Sequence, residues 1–192
     1  LTHRAAVRVV LLACAAVALT MLTPLVRQAT PLAALPDPLE WYLRPYPGRT
    51  TFTVFPWAGF LFAGAAVGVW LDADRERRVL AALAVGGPAM ALAGYAASYL
   101  PPIYAEANFW TSSPTFFFLR LGVLLSLVPL AWVRERLPGS GPLQYFGRAS
   151  LFVYWIHVEM VYGVVSAPIH RRFTLEEWFV AFLLFSAFLF AV

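Results

Sequence analysis

Apolar stretches alternate along this chain with short polar or proline-rich segments. They cover residues 6–26, 53–71, 79–100, 115–133, 147–166 and 178–192. A helix of about 20 residues crosses the hydrocarbon of a bilayer, and the first five stretches reach or approach that length. The sixth, at about fifteen residues, is too short to cross. The pattern predicts an all-α fold, a polytopic transmembrane helix bundle of about six membrane segments.

Arg4 and Arg8 precede the first stretch, as basic residues precede the apolar core of a secretory signal. The run continues to Leu25 and five further stretches follow, so it reads as a span. The 27–52 connection carries Pro31, Pro36, Pro38, Pro45 and Pro47 and is expected to be an extended outer loop. Its Trp41, Tyr42 and Tyr46 suit an interfacial belt. Gly64 and Gly68 have the small-x-x-x-small spacing that lets helices approach closely. Pro88 predicts a kink in the third span. The outer 101–114 loop is dense in polar and aromatic groups, with Tyr104, Asn108, Phe109 and Trp110. Interface anchoring and a sugar-facing wall both fit it.

Composition agrees with lipid as the solvent: 61% of residues are hydrophobic and 12% charged. Every basic residue is an arginine, and nearly all lie between spans, so the net charge of +4 does not point to nucleic acid. With the N-terminus in the cytoplasm, the inner side holds Arg4, Arg8, Arg75, Arg77, Arg78, Arg134, Arg136 and Arg148. The outer side holds Arg27, Arg44, Arg49, Arg171 and Arg172, and the excess favours this orientation. Cys14 is the single cysteine, which excludes an internal disulfide and a cysteine-based metal cluster. No histidine or carboxylate spacing suggests a metal site, and no glycine-rich loop suggests a phosphate cradle. The chain starts at Leu1 and its last stretch is short. It is therefore expected to be a fragment, truncated at both ends.

Ionisable groups inside the apolar stretches are the candidate chemistry, because charge in hydrocarbon is costly. Arg120 lies about six residues into its span, roughly 9 Å deep. Glu159 lies about eleven residues into the fifth, roughly 16 Å from the other side. On a slab of about 30 Å the two share nearly one depth. A charge pair locking two helices and a catalytic role both fit them. Ser150, Tyr154 and His157 fall at i, i+4 and i+7 and form one helical stripe, with Glu159 on the far side.

These residues carry a resemblance. Pro142, Tyr145, Gly147, Ser150, Val153, Tyr154 and His157 are spaced like the penultimate membrane segment of the heparan-α-glucosaminide N-acetyltransferase-like family. Asn108-Phe109-Trp110, Ser113-Pro114, Phe117, Arg120-Leu121-Gly122 and the Phe55-Pro56-Trp57 helix start look like its bacterial members. The likeness covers about residues 50–192, and a looser Gly…Ser…Tyr…His helix is shared by the broader family-3 membrane acyltransferases. The resemblance implies that residues 1–192 are the C-terminal portion of one integral-membrane acyltransferase domain in a bacterial inner membrane. It implies acetyl-CoA as co-substrate at the cytoplasmic face, no bound cofactor, and a glycan or amino-sugar acceptor on the other side.

The catalytic histidine is then expected upstream of this sequence, leaving the fragment alone inactive. Ser150, Tyr154, His157, Arg120 and Glu159 become pocket candidates. Arg134, Arg136 and Arg148 become candidates for the CoA phosphates, and Tyr104, Asn108 and Trp110 for the acceptor side. The positive-inside rule explains the inner arginines equally well. Expected partners are the bilayer, acyl-CoA and the acceptor, with homo-oligomerisation open and no nucleic acid. The rival class is a proton-coupled transporter or flippase relaying through Arg120, His157 and Glu159. A purely structural membrane segment is a third reading.

Overall fold

Apolar residues surround these helices on every side rather than forming one stripe, which is the pattern of helices immersed in lipid. In the computed structural model the described residues are 3–46, 50, 52–71, 76–104, 106–137, 150, 154, 156, 158 and 172–191. All regular structure among them is helical. Three helices are long and apolar enough to cross a membrane: α1 (His3–Gln28), α4 (Glu76–Ala97) and α5 (Pro114–Arg136). The short α2 (Asp37–Leu43) and the apolar, 17-residue α3 (Val54–Trp70) lie between α1 and α4. A sixth helix, α6 (Leu175–Ala191), follows near the chain end.

The chain divides into two compact units, Leu1–Arg136 and Leu137–Val192. In the first, α1 packs on α3 and α4 packs on α5. Leu11, Leu61, Val85, Leu92 and Leu130 point outward and are largely exposed, as lipid-facing side chains are. Lipid offers no hydrophobic drive for helix association, so contact comes from close backbone approach. Gly87 and Gly94 of α4, two turns apart, meet α5 through such an approach. A Cβ on Gly94 would lie 2.7 Å from the Leu119 amide nitrogen, and one on Gly122 would lie 2.4 Å from that of Ala91. Gly87 sits against Gly122 and Ser126, Gly94 against Thr115 and Leu119, so the two helices run antiparallel.

The two pairs touch where α1, α3 and α5 converge. A Cβ on Gly59 would meet the Phe117 ring at 3.0 Å and the Thr20 hydroxyl at 3.1 Å. Phe60 lies against Phe117, with ring centroids 4.2 Å apart, and Ala16, Ala63 and Leu121 complete this core. Thr20 and Thr23 are fully buried, and their hydroxyls donate to the Ala16 and Leu19 carbonyls at 2.8 Å. Returning each hydroxyl to its own helix satisfies it without a cross-helix partner.

Two local expectations change. Among the described residues nothing lies within 4 Å of where a Cβ on Gly64 or Gly68 would stand, and the close approaches are made at Gly59, Gly87, Gly94 and Gly122. Helix α4 carries Pro88 in its interior. The 27–52 connection is not simply extended. A 3₁₀ turn at Thr30–Ala34 and α2 each carry a proline in their first turn, where the missing N–H has no helical partner to lose. Arg44 then ties the connection together, donating to Glu40 and, at 3.0 Å, to the Ala29 carbonyl.

In the second unit, Ser150, Tyr154, Ile156 and Val158 have helical backbone. Helix α6 opens with a reciprocal cap. The Thr174 amide and hydroxyl donate to the Glu177 carboxylate at 2.9 and 3.0 Å, and the Glu177 amide donates to the Thr174 hydroxyl at 3.4 Å.

Gly122→Val should lower the thermal unfolding midpoint in detergent markedly, since overpacking of this kind costs about 1–3 kcal/mol. Gly64→Ala and Gly68→Ala should leave the midpoint within a degree or two. Equal tolerance at all three sites would refute the seam as the packing determinant.

Candidate functional site

The polar chemistry of the first unit gathers at the two ends of the α4/α5 pair. At one end stand Glu76, in the first turn of α4, and Trp132 and Arg136, in the last turns of α5. The Trp132 indole N–H donates to the Glu76 carboxylate. The Arg136 guanidinium lies over the Trp132 ring, 3.5 Å from its centroid, and reaches the same carboxylate at 4.0 Å. An acid at a helix start and a base at a helix end also complement the helix dipoles. Both charged side chains are about half exposed, so the ion pair itself adds little; the stacked indole is the firmer contact.

This cluster separates two candidates that the sequence treated alike. Arg136 is engaged by Glu76 and Trp132. Arg134, half-buried in the same turn, has no hydrogen bond or ion pair among the described residues. Arg148 lies outside the described residues.

At the other end the 98–113 connection folds around Asn108. The Asn108 carbonyl accepts from the amides of Thr111, Ser112 and Ser113, and its side-chain oxygen accepts from the Trp110 amide at 3.0 Å. The Asn108 amide donates to the buried Ser112 hydroxyl at 3.0 Å. Asn108 is thus the organiser of the turn, and its side-chain oxygen is already occupied. The turn brings Phe109 and Trp110 onto Phe116, with centroids 4.9 and 5.0 Å from that ring. One helical turn on, Arg120 lies over the same Phe116 ring at 4.0 Å. Trp110 is 66% exposed, and Arg120 is exposed too. Tyr104 is half-buried in the same connection, its carbonyl accepting from the Ala107 amide.

The structure therefore brings Arg120, a pocket candidate in the sequence, into one cluster with Asn108 and Trp110, its acceptor-side candidates. The joining residue is Phe116, which sequence reasoning passed over. Its i, i+4 relation to Arg120 was readable, as was that of Trp132 to Arg136. The contacts of Trp110 with Phe116 and of Trp132 with Glu76 are tertiary and had no local signal. His157 and Glu159 lie outside the described residues, so the expected Arg120–Glu159 pair and the complete Ser150–Tyr154–His157 column do too. Ser150 and Tyr154 are helical and exposed, four residues apart on one stripe of the second unit.

Spanning helices with polar clusters at both ends of a packed pair define an integral membrane protein of the helical-bundle class, embedded in a lipid bilayer. The chain matches the acyltransferase domain of acyltransferase family 3 over residues 2–192, and it belongs to that family. No curated protein and no solved structure matches it. Of the two resemblances in the sequence, the broader family-3 one is the one this match supports; the narrower heparan-α-glucosaminide one is not singled out.

A double-mutant cycle on Glu76→Ala and Trp132→Phe should give a coupling of about 0.5–1.5 kcal/mol in detergent unfolding, the usual net worth of one hydrogen bond. Strictly additive effects would mean that the indole and carboxylate do not hold the two helices together.

Proposed function

We propose that the protein is a membrane acyltransferase that moves an acetyl or other acyl group from cytoplasmic acyl-CoA to a glycan or amino-sugar acceptor on the outer side. Family membership over nearly the whole chain supports the acyl transfer. In the reaction the acceptor oxygen or nitrogen bonds the acyl carbon and the thioester C–S bond breaks. The proton displaced from the acceptor ends on the sulfur of CoA, relayed by a general base.

The separation of the two ends of α5 supports the division of labour. Arg120 and Arg134 are fourteen residues apart, about 21 Å along a helix axis. Donor and acceptor recognition on opposite faces of a bilayer needs such a separation. The arginine excess at the Arg134 end supports its cytoplasmic placement, in a bacterial inner membrane with the N-terminus of α1 on the same side. There Arg134 is the first choice for a CoA phosphate, because Arg136 already serves Glu76 and Trp132. The Asn108–Trp110 turn faces the acceptor, with Tyr104 beside it in the chain. Ser150, Tyr154 and His157 stay pocket candidates on the strength of the resemblance alone.

An acceptor belonging to the cell-envelope sugars fits family 3 as well as an amino sugar does, and hydroxyl and amine acceptors are both to be tried. A proton-coupled transporter is not favoured, because membership in an acyltransferase family offers that reading no support.

The full-length protein in nanodiscs should transfer labelled acetyl from acetyl-CoA to a sugar hydroxyl or amine. Arg134→Gln should raise the KM for acetyl-CoA about tenfold, the loss of one charge-assisted hydrogen bond, with kcat nearly unchanged. Arg136→Gln should have the smaller effect. No transfer across a broad panel of sugar acceptors would defeat the proposal, and an unchanged KM in Arg134→Gln would remove its donor-site assignment.

A further inference from the structure

Arg120 stands on Phe116 in a particular way. Its guanidinium carbon lies over the ring, 4.0 Å from the centroid. A guanidinium carries five N–H donors in its own plane, and a cation–π contact satisfies none of them with an acceptor oxygen. Among the described residues none of those donors has a hydrogen-bond or ion-pair partner. The nearby turn brings in no such partner either: the Asn108 side-chain oxygen is taken by the Trp110 amide, and Glu106 forms no ion pair with Arg120. A forked, planar donor set held in place by a ring suits a carboxylate or a phosphate.

Beside it stands an exposed indole. Trp110 packs edge-on against Phe116 with an interplanar angle of 77° and keeps 66% of its surface free. Its position is fixed twice, by the Asn108 side chain holding its amide and by Phe109 behind it at 5.2 Å. The indole and the guanidinium both contact the Phe116 ring, at 5.0 and 4.0 Å from its centroid.

We infer that this Trp110–Phe116–Arg120 patch is an acceptor subsite for anionic saccharides, with the indole stacking on the sugar and the Arg120 edge binding an oxyanion on it. The inference rests on the acyltransferase reading and deepens it by naming the acceptor class. The oxyanion is a uronate carboxylate or a sugar phosphate, and both present the same oxygen pair to the guanidinium.

Binding without acyl donor tests it separately from transfer. Full-length protein in phosphatidylcholine nanodiscs is titrated with methyl β-glucoside, methyl β-glucuronide and glucose 1-phosphate at low salt, with saturation-transfer NMR as the readout. At least one anionic sugar should bind about tenfold more tightly than the neutral one, as one charge-assisted contact allows. The glucuronide and phosphate arms decide which oxyanion is preferred. Arg120→Gln should abolish the preference, Arg120→Lys should keep part of it, and Trp110→Ala should weaken charged and neutral sugars alike. Arg120→Gln is an exposed change; its unfolding midpoint, read in parallel, certifies the fold.

Equal binding of all three sugars overturns the inference. So does a preference that survives Arg120→Gln, which would leave Arg120 as a lipid-facing anchor. Anionic preference without any acetyl transfer counts against the acyltransferase reading and leaves the subsite intact. Transfer confined to neutral sugars does the reverse.

Discussion

The α4/α5 seam is the contact on which the rest of the first unit depends. Water would press two apolar helices together, but lipid tails are as apolar as leucine and do not. What remains is dispersion between surfaces brought very close, and Gly87, Gly94 and Gly122 supply the closeness by presenting no Cβ where Ala91, Leu119 and Ser126 arrive. That interlock sets the register of two antiparallel helices. A slip of one helical turn would carry one helix about 5.4 Å past the other. Glu76 would then miss Trp132, and the turn before α5 would no longer fit the end of α4. The Glu76–Trp132 contact thus inherits its geometry from three buried glycines along the seam.

The core that joins the two helix pairs also decides which side chains are left for chemistry. Phe117 is buried against Gly59, Phe60 and Thr20. Its neighbour Phe116, about 100° around the helix, is therefore turned away from that core, and Arg120 follows it four residues later. Burying one phenylalanine in the three-helix junction is what frees the next to serve as a platform. An aromatic ladder runs from Phe52 through Trp57 and Phe60 into the same junction, giving α3 a continuous stiff edge despite its short length.

Charge is handled by the same economy at both ends of α5. Arg120 and Arg136 are each stacked on a ring one turn earlier in their own helix, Phe116 and Trp132. Stacking lets an arginine shed water from its face while keeping its donor edge for a carboxylate or ligand. At Arg136 the edge reaches toward Glu76, and the result is a structural tie. At Arg120 the described surroundings bring no acid to the edge, and the identical motif is left able to bind. A difference in neighbours, not in local sequence, separates the two roles.

The sequence by itself determined that this is a helical membrane protein, because the apolar stretches match a bilayer's thickness and nothing else in the chain could solvate them otherwise. It also pointed to a membrane acyltransferase through the spacing of Gly147, Ser150, Tyr154 and His157 and the polar turn before α5. Which glycines pack was not legible: Gly64 and Gly68 have the familiar spacing yet meet no described neighbour, while Gly87, Gly94 and Gly122 meet partners contributed by another helix. The prolines of the 27–52 connection were read as breakers, since a residue that forbids the middle of a helix favours its first turn, and composition alone does not distinguish the two positions. Only the tertiary structure decided that Trp110 and Arg120 share one ring and that Glu76 claims Arg136. Those contacts join residues on different turns and helices, and a contact between separate elements is set by how their surfaces fit, which no single stretch of chain encodes.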